Sequence, residues 1–599
     1  EYVPIPIGGG AGETPFSQLF VSTSDTVRMT YLINMLARKS RHVMLIGSGS
    51  GKTSVITQYL ASLDKDVDGF YTNQINMSYF TDSKALQAEL ELPIDKRSGR
   101  RYGPPASKRL IIFIDDLNLP YIENYGTQNA IALLTQHMAY GTIFDRDDLG
   151  LRKELVDMQY ITAMNPTAGS FTICERAQRL FATFALTMPT QNDLAVIFEA
   201  LMSGHVMGFS TAVCESVPKI VSASLQLFHD VSKRFLPSAV KFTYNWNLRE
   251  LTNIFQGLCL MRNNDFQDFP SVVRLWVHEF ARVVSDRLFT TPELEVYEGL
   301  LKEVMKKSLG VNPDDYLKEN ILYSNFVVGN DGALRHIPDI EELQKVVDNK
   351  LYDYNEANAI MDLVLFQQAA EHITRISRII SNPGGNAMLI GVGGSGKQSL
   401  SRLASFISNF EVKQLQVTGA FKEEDLLENL RAMFTAAGVK GTQTVFLMTD
   451  TQVVNERFLI YINAMLASGW ISGLFPKEDI DSMLGNLRGE AKANGIPDLP
   501  DAMLEFLISR VRANLHVILC FSPVGDTFRI RARRFPALIM STAIDFFHPW
   551  PRDALIKVAY KFMEEVELPD DEIRKGLSIH MAEEHLSVTA RSQKYLERQ

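Results

Sequence analysis

Two stretches carry the same candidate chemistry. Residues 43–54 read Val-Met-Leu-Ile-Gly-Ser-Gly-Ser-Gly-Lys-Thr-Ser, and residues 387–399 read Ala-Met-Leu-Ile-Gly-Val-Gly-Gly-Ser-Gly-Lys-Gln-Ser. In each, an apolar run enters a glycine-rich bend that ends in lysine, and an amphipathic segment follows. That is the order strand, phosphate-cradling loop, helix. Glycines let successive N–H groups face one concavity, the lysine reaches the outer phosphates, and the helix N-terminus adds partial positive charge. The candidate phosphate-binding residues are Gly47, Ser48, Gly49, Ser50, Gly51, Lys52 and Thr53 in the first copy. In the second they are Gly391, Val392, Gly393, Gly394, Ser395, Gly396, Lys397, Gln398 and Ser399.

Each bend is followed by an apolar run that ends in acid. Leu110–Ile114 leads into Asp115 and Asp116, and Val445–Met448 leads through Thr449 into Asp450. A strand buried on both faces of a parallel sheet reads this way. Asp115, at the carboxyl end, is placed to hold Mg²⁺, and Asp116 stands where a base polarising an attacking water would sit. Alone, such acids are better explained as strand-end turn residues; downstream of a phosphate loop they become its partners. Two more apolar runs end in polar tips, Met158–Met164 at Asn165 and Val517–Phe521 at Ser522. Either tip can reach a γ-phosphate or its water, although Asn before Pro166 is also an ordinary turn signal. Arginines precede a further apolar run in both copies: Arg176 and Arg179 before Phe181–Leu186, then Arg529, Arg531, Arg533 and Arg534. Arg249, in Asn247-Leu-Arg-Glu-Leu251, falls on a helix, where a solvated charge is the plain alternative.

The rest of the chain must hold these groups. At 599 residues it has room for several domains. A hydrophobic content of 46% and charged content of 22% are ordinary for a globular protein, and the formal net charge of −10 argues against a general nucleic-acid binder. The 4 cysteines, Cys174, Cys214, Cys259 and Cys520, are scattered, which suggests a reducing compartment without disulfide or zinc framework. No apolar run reaches the roughly 18 residues of a membrane span. The chain opens at Glu1 without a signal-like segment and reads as a piece of something longer.

Pro/Gly-rich residues 1–15 read as extended linker, residues 24–39 as helix, and residues near 70–77 as strand. The basic run Lys96–Arg109 reads as a solvated loop. Residues 190–310 turn helical. A second copy starts near 350, with a polar, acidic insertion at 476–505. One domain type is therefore used twice, with different insertions. His580 and His585 do not share a helical face, so they are not read as a zinc pair.

Strand, phosphate loop, acid-tipped strand, polar strand tip, arginine pair and helical region together resemble the AAA+ ATPase module. The wording is similar to the dynein heavy-chain family, most closely axonemal chains of the outer-arm beta type. It runs through Phe113-Ile-Asp-Asp-Leu-Asn-Leu-Pro120, Tyr125-Gly-Thr-Gln128, Met164-Asn-Pro-Thr-Ala-Gly-Ser-Phe-Thr-Ile173 and Arg274-Leu-Trp-Val-His-Glu279. It continues in Gly391–Leu403, Val445–Asp450, Cys520-Phe-Ser-Pro-Val-Gly525, Arg531-Ala-Arg-Arg-Phe-Pro536 and Thr542-Ala-Ile-Asp545. The order resembles the third and fourth modules of the six-module motor ring.

The resemblance implies an α/β fold: two AAA+ P-loop modules, each a parallel-sheet large subdomain with an all-helical lid, the second lid incomplete. The expected division is linker 1–20, large subdomain 21–189, lid 190–325, large subdomain 326–552 and the start of a lid at 553–599. It further implies that Lys52 binds the β/γ-phosphates of ATP or ADP, that Thr53 and Asp115 serve Mg²⁺, and that Asp116 takes the catalytic-acid position. Asn165 becomes the first sensor and Arg249 the second. Arg176 or Arg179 would serve a preceding module, and one of Arg531, Arg533 and Arg534 would complete the Lys52 site, stabilising the transferring phosphoryl group.

Several residues depart from the family pattern. The first loop is one residue short, and Asp116 stands for the usual Glu. Gln398 replaces a Mg²⁺-binding hydroxyl, and Thr451 replaces the second acid. In Cys174–Phe181, Glu175 and Leu180 stand where axonemal relatives carry Pro and His. The implied partners are the remaining modules, linker and stalk of the same heavy chain, microtubules through the stalk tip, intermediate and light chains, and other heavy chains, with neither nucleic acid nor membrane. The implied place is the cytoskeleton of the cilium or flagellum. Three readings stand side by side: a motor ATPase whose first site turns over slowly and whose second holds nucleotide; a pair of non-catalytic nucleotide sites; and a AAA+ machine that remodels proteins.

Overall fold

The computed structural model describes residues 16, 19–64, 67–166, 173–317, 321–329, 332–419, 421–596 and 598. The linker segment 1–15 and residues 167–172 of the axonemal-like stretch lie outside the described residues.

Two five-stranded parallel sheets organise the chain. In the first, the strands are β1 (Val43–Ile46), β2 (Phe70–Asn76), β3 (Arg109–Asp115), β4 (Met158–Met164) and β5 (Ala182–Ala185), laid side by side as β2-β3-β4-β1-β5. In the second they are β6 (Ala387–Ile390), β7 (Glu411–Gln414), β8 (Thr444–Thr449), β9 (Leu515–Phe521) and β10 (Ala543–Phe546), laid as β7-β8-β9-β6-β10. The orders are the same, so the internal repeat seen in the sequence is a repeat of topology. In both, the strand feeding the phosphate loop lies between the fourth strand and the fifth. Parallel α/β sheets bind ligands beyond the carboxyl ends of their strands, and both loops stand there.

The apolar runs are buried because they have protein on both faces. Along β3, Leu110, Ile112 and Ile114 enter one core cluster while Ile111 and Phe113 enter another. Along β8, Phe446 and Met448 point one way and Val445 and Leu447 the other. A period of two feeding two cores explains continuous hydrophobicity where a half-exposed strand would alternate.

Between the sheets lies the helical region, with helices Gln191–His205, Thr211–Arg234, Leu248–Leu258, Phe269–Val283 and Thr291–Val304 around one core. Phe198 stacks on Phe255 at 4.1 Å, and the fully buried Trp276 donates its indole N–H to Ser224 Oγ at 2.8 Å. A buried ionic cluster ties this lid to the second sheet. Glu279 pairs with Arg378; Asp286 lies 2.8 Å from Arg282 and 3.5 Å from Arg375; Asp545 lies 3.0 Å from Arg375 and 2.6 Å from His372. Burial pushes the Asp545 carboxyl up, and His372 and Arg375 outweigh it to hold it below the usual range. Buried charges are tolerated only when paired, so removing one partner here is costly.

The basic run departs from expectation. Asp95–Ser98 and Arg101–Gly103 are strands of a four-stranded side sheet completed by Thr142–Phe144 and Arg152–Leu155. Gly99, at φ +59, turns the chain between the first two, and two of the cations are partnered: Arg97 with Asp157 at 2.5 Å and Arg101 with Glu154 at 3.3 Å. The acidic insertion forms helices Lys477–Ala493 and Pro500–Asn514, whose Met483, Leu487, Met503 and Leu507 enter the second core. His580 and His585 are exposed on the helix Asp571–Leu596, and His580 lies 3.2 Å from Glu584. No helix among the described residues is long and apolar enough to cross a membrane.

Candidate nucleotide-binding sites

The first loop closes as a cradle against its surroundings. Gly47 donates its N–H to the Met164 carbonyl at 3.2 Å, and a Cβ added there would fall 2.1 Å from the Leu186 carbonyl oxygen. Gly49, at φ +59, leaves no room for a side chain, because its Cβ would meet Asn247 Cβ at 2.7 Å. The loop is one residue short of the usual pattern, yet the helix Lys52–Ala61 still begins at the lysine. Lys52 Nζ donates to the Gly47 carbonyl at 2.6 Å. Burial pulls the ammonium below its ordinary pKa, and Asp115 and Asp116 oppose that pull. Ser48 is exposed. Ser50 is buried, and its Oγ has no hydrogen-bond partner among the described residues. A buried orphan hydroxyl beside free loop geometry suits a polar ligand.

The acids converge on this loop. Thr53 Oγ1 donates to Asp115 Oδ2 at 2.9 Å, and Asp115 Oδ1 accepts the Asp116 N–H at 3.0 Å. A hydroxyl and a carboxylate side by side form the hard oxygen set that suits Mg²⁺, so the residues present fit that ion. Asp116 turns the chain at φ +53, a region Asp enters more readily than most residues. Burial raises both carboxyls; Asp116 is pushed to about 7, with the Asp115 charge adding to burial and Lys52 and Arg249 opposing. Asn165 stands at the end of β4, and its carbonyl accepts the side-chain N–H of fully buried Asn118 at 2.9 Å.

Arg249 sits at the start of the helix Leu248–Leu258, where Asn247 caps the first turn through the Arg249 N–H at 2.9 Å. The same Asn247 lies over Gly49, and Leu248 Cδ2 lies 3.6 Å from where a Gly51 Cβ would be. The lid therefore presses its helix N-terminus onto the phosphate loop. The Arg249 guanidinium acts on both acids and donates to the Met540 carbonyl of the second unit at 2.8 Å.

The second loop is built alike but covered differently. Gly391 donates to the Phe521 carbonyl at 3.2 Å, and a Cβ there would meet Phe547 Cβ at 2.7 Å. Lys397 Nζ donates to the Gly391 and Val392 carbonyls at 2.7 Å and to Ser395 Oγ at 3.1 Å. Burial lowers its pKa, with Cys520 and Asp450 opposing. Among the described residues, added Cβ atoms at Gly393 and Gly394 would meet nothing within 4 Å. Gln398 is exposed and accepts from Gln414 at 3.5 Å, and Ser399, half-buried, follows it on the helix Lys397–Ile407. Asp450 Oδ2 accepts the Ser522 N–H at 3.2 Å. Thr451 hydrogen-bonds Thr449 at 2.9 Å where the first site has Asp116.

The arginines divide. Arg176 and Arg179 are exposed at the helix Glu175–Gln178. In the second unit Arg531, Arg533 and Arg534 lie on the helix Thr527–Arg534. Arg534 pairs with Glu456 and lies over the Tyr79 ring of the first unit at 4.8 Å; Arg533 is exposed; Arg531 is half-buried, and burial lowers its pKa against the charges of Glu456 and Asp450. The helix abuts the first unit through Phe242–Phe528 at 5.1 Å and Phe80–Phe535 at 6.0 Å.

Sequence reasoning missed Leu186, Asn118, Asn247 and Phe547. Asn247 alone carried a local signal, a cap residue before a helical pattern; its contact with Gly49 is long-range.

Comparison with known proteins matches this arrangement. Residues 11–189 match the model of the P-loop containing dynein motor region, residues 361–599 that of the P-loop containing dynein motor region D4, and residues 220–320 the AAA+ lid domain. The chain is 42% identical over 590 residues to the dynein beta chain of the flagellar outer arm of Chlamydomonas reinhardtii, covering 97% of this chain. It is 42% identical to the ciliary dynein beta chain of Tripneustes gratilla and 39% identical to dynein axonemal heavy chain 9 of Homo sapiens, each covering 98% of this chain. It spans 13% of the length of each of these relatives. With two P-loop sheets of one topology, a lid seated on the first loop and these matches, the chain belongs to the motor region of the dynein heavy-chain family.

Proposed function

We propose that this chain forms the third and fourth modules of the ATPase ring of an axonemal dynein of the outer-arm type. The Lys52 site binds and slowly hydrolyses ATP, whereas the Lys397 site holds nucleotide with little or no hydrolysis. One observation carries the distinction. The first loop faces a hydroxyl and two carboxylates, Thr53, Asp115 and Asp116, while the second faces Asp450 with Gln398 and Thr451 in the other two places.

In the first site the loop N–H groups and Lys52 would bind the β- and γ-phosphates, and Asn247 and Leu248 bring the lid onto them. Thr53 and Asp115 would hold Mg²⁺, which when bound neutralises charge on the phosphates. Asp116 orients the attacking water and takes up its proton; a carboxylate titrating at about 7 is matched to that task near neutral pH. Asn165, at the tip of β4, would reach the γ-phosphate or its water, and an arginine from 531–534 would supply positive charge across the module boundary. In the second site the Thr451 hydroxyl cannot accept a proton at neutral pH, so nucleotide there acts as a brace between subdomains. Hydrolysis and release at Lys52 would gate the motor cycle by closing and opening the first cleft against the second.

The relatives' names support a place in the cilium or flagellum. The remaining ring modules, microtubules, intermediate and light chains and neighbouring heavy chains would be its partners. Single-turnover hydrolysis by the intact chain tests the reading. Lys52→Ala should remove phosphate release, and an unchanged rate would refute catalysis at that site.

A further inference from the structure

Between β2 and the helix Ser83–Glu91 lies a short turn, Met77–Thr81, that touches both units. Ser78 and Thr81 close it: Thr81 Oγ1 accepts the Ser78 N–H at 2.9 Å and the Ser78 carbonyl accepts the Thr81 N–H at 3.1 Å. Asp82 then caps the following helix through the Ala85 N–H at 2.7 Å. Held at both ends, the turn presents two adjacent rings in fixed directions, with Tyr79 edge-on to Phe80 at 5.1 Å.

One side of the turn meets the arginine-bearing helix of the second unit. Phe80 stacks on Phe535, the fully buried residue that ends that helix, at 6.0 Å and 20°. The Arg534 guanidinium lies over the Tyr79 ring at 4.8 Å while its other partner, Glu456, fixes its far side. The opposite side of the turn meets the loop that carries the first site's acid. Met77 donates its N–H to the Asp115 carbonyl at 3.1 Å, the Tyr79 carbonyl accepts the Tyr121 N–H at 3.0 Å, and the two tyrosine rings meet edge-on at 5.4 Å. Between Asp115 and Tyr121 the chain turns through Asp116, whose carbonyl accepts the Leu119 N–H at 3.0 Å.

We propose that Tyr79 and Phe80 are positioning residues for hydrolysis at the Lys52 site, seating the second unit's arginine helix and the Asp116 loop against one another. The inference rests on the catalytic reading of that site and goes beyond it. Neither ring lies in the phosphate loop, so both act through the groups they hold. Seating of the second unit is then registered at the acid, and a loosened boundary leaves ATP bound while slowing its cleavage. Misplacement by about 1 Å costs up to roughly 100-fold in rate, so partial loosening should cost about tenfold.

The test uses the full chain. Phe80→Ala and Tyr79→Leu should each lower single-turnover kcat about tenfold, with the affinity for N-methylanthraniloyl-ADP held within about twofold because the loop is untouched. Tyr79→Phe, which keeps the ring, should recover most of the lost rate. Tyr79→Leu combined with Arg534→Gln should lose less than the sum of the two, since both cut the same cation–ring contact. Unchanged kcat in Phe80→Ala and Tyr79→Leu, or equal losses of affinity and kcat, would overturn the inference. Lys52→Ala in the same assay judges the parent reading separately. Amide hydrogen exchange needs no turnover: Arg534→Gln should speed exchange in peptides covering 116–121, and unaltered exchange there overturns the inference even if the wild-type chain proves inactive.

Discussion

The two phosphate loops occupy the same position in sheets of the same strand order, and their lysines reach back to the first glycine of the loop at 2.6 and 2.7 Å. What surrounds them differs. The Lys52 loop is overlaid by Asn247 and Leu248 from the lid and faces two half-buried carboxylates and a threonine hydroxyl. The Lys397 loop faces one acid, an exposed glutamine and a threonine bonded to Thr449. Binding a polyphosphate tail needs only the loop, whereas cleaving it needs a base and a charge-stabilising set held to within about 1 Å. On the proposed reading, duplication kept the first requirement in both copies and the second in one.

The largest expected effect comes from removing the acid that separates them. Asp116→Asn keeps the backbone turn, because Asn tolerates positive φ, and should slow single-turnover hydrolysis roughly 100- to 10,000-fold. Lys397→Ala should empty the second site and leave the rate within about threefold, measured by the same phosphate-release assay with nucleotide counted after rapid gel filtration; a comparable loss from both changes would break the comparison. Next, the second site can be given what it lacks. Gln398→Thr with Thr451→Glu, in a Lys52→Ala background, should raise hydrolysis at least about tenfold above background if the missing hydroxyl and acid are the cause.

A smaller effect follows from Asp116 titrating at about 7. As a base it must be ionised, so the rate should rise as pH increases through about 7, and Asp116→Asn should flatten that limb in a pH–rate profile. Stability runs the other way. The folded pKa is raised from 3.8, so this carboxyl's contribution is fully present below about 4 and lost as pH rises through about 7. In the nucleotide-free chain, Asp116→Asn should therefore raise Tm by roughly 2–4 °C at pH 8, with no gain near pH 4, read by calorimetry. The smallest change is expected of Asn247→Ala. It removes a helix cap, about 1 kcal/mol, and a contact over Gly49, so nucleotide affinity at the first site should fall modestly while the second is unaffected.

Much of this was legible beforehand because it is local. A glycine bend between an apolar run and an amphipathic segment is written in consecutive residues, as are the acids at the ends of β3 and β8. The helical character of 190–310 follows from periodicity. The lid's position over the first loop was not legible, because the contacts of Asn247 with Gly49 and of Phe547 with Gly391 join distant segments. The basic run reads as a solvated loop for a related reason. Its strands exist through pairing with 152–155, and its cations through Asp157 and Glu154, neither of which a local window contains. Arg249 draws its candidacy from resemblance; its charge lowers both acids, and its guanidinium is held by the Met540 carbonyl of the second unit.

The asymmetry of the two sites is tested most directly by counting. The intact chain is loaded with excess ATP, freed of unbound nucleotide, and quenched at intervals, and bound ATP, ADP and released phosphate are measured per chain. Two nucleotides bound with one converted to ADP, the conversion abolished by Lys52→Ala and retained by Lys397→Ala, is the expected result. Conversion of both at one rate, or of neither, would contradict it.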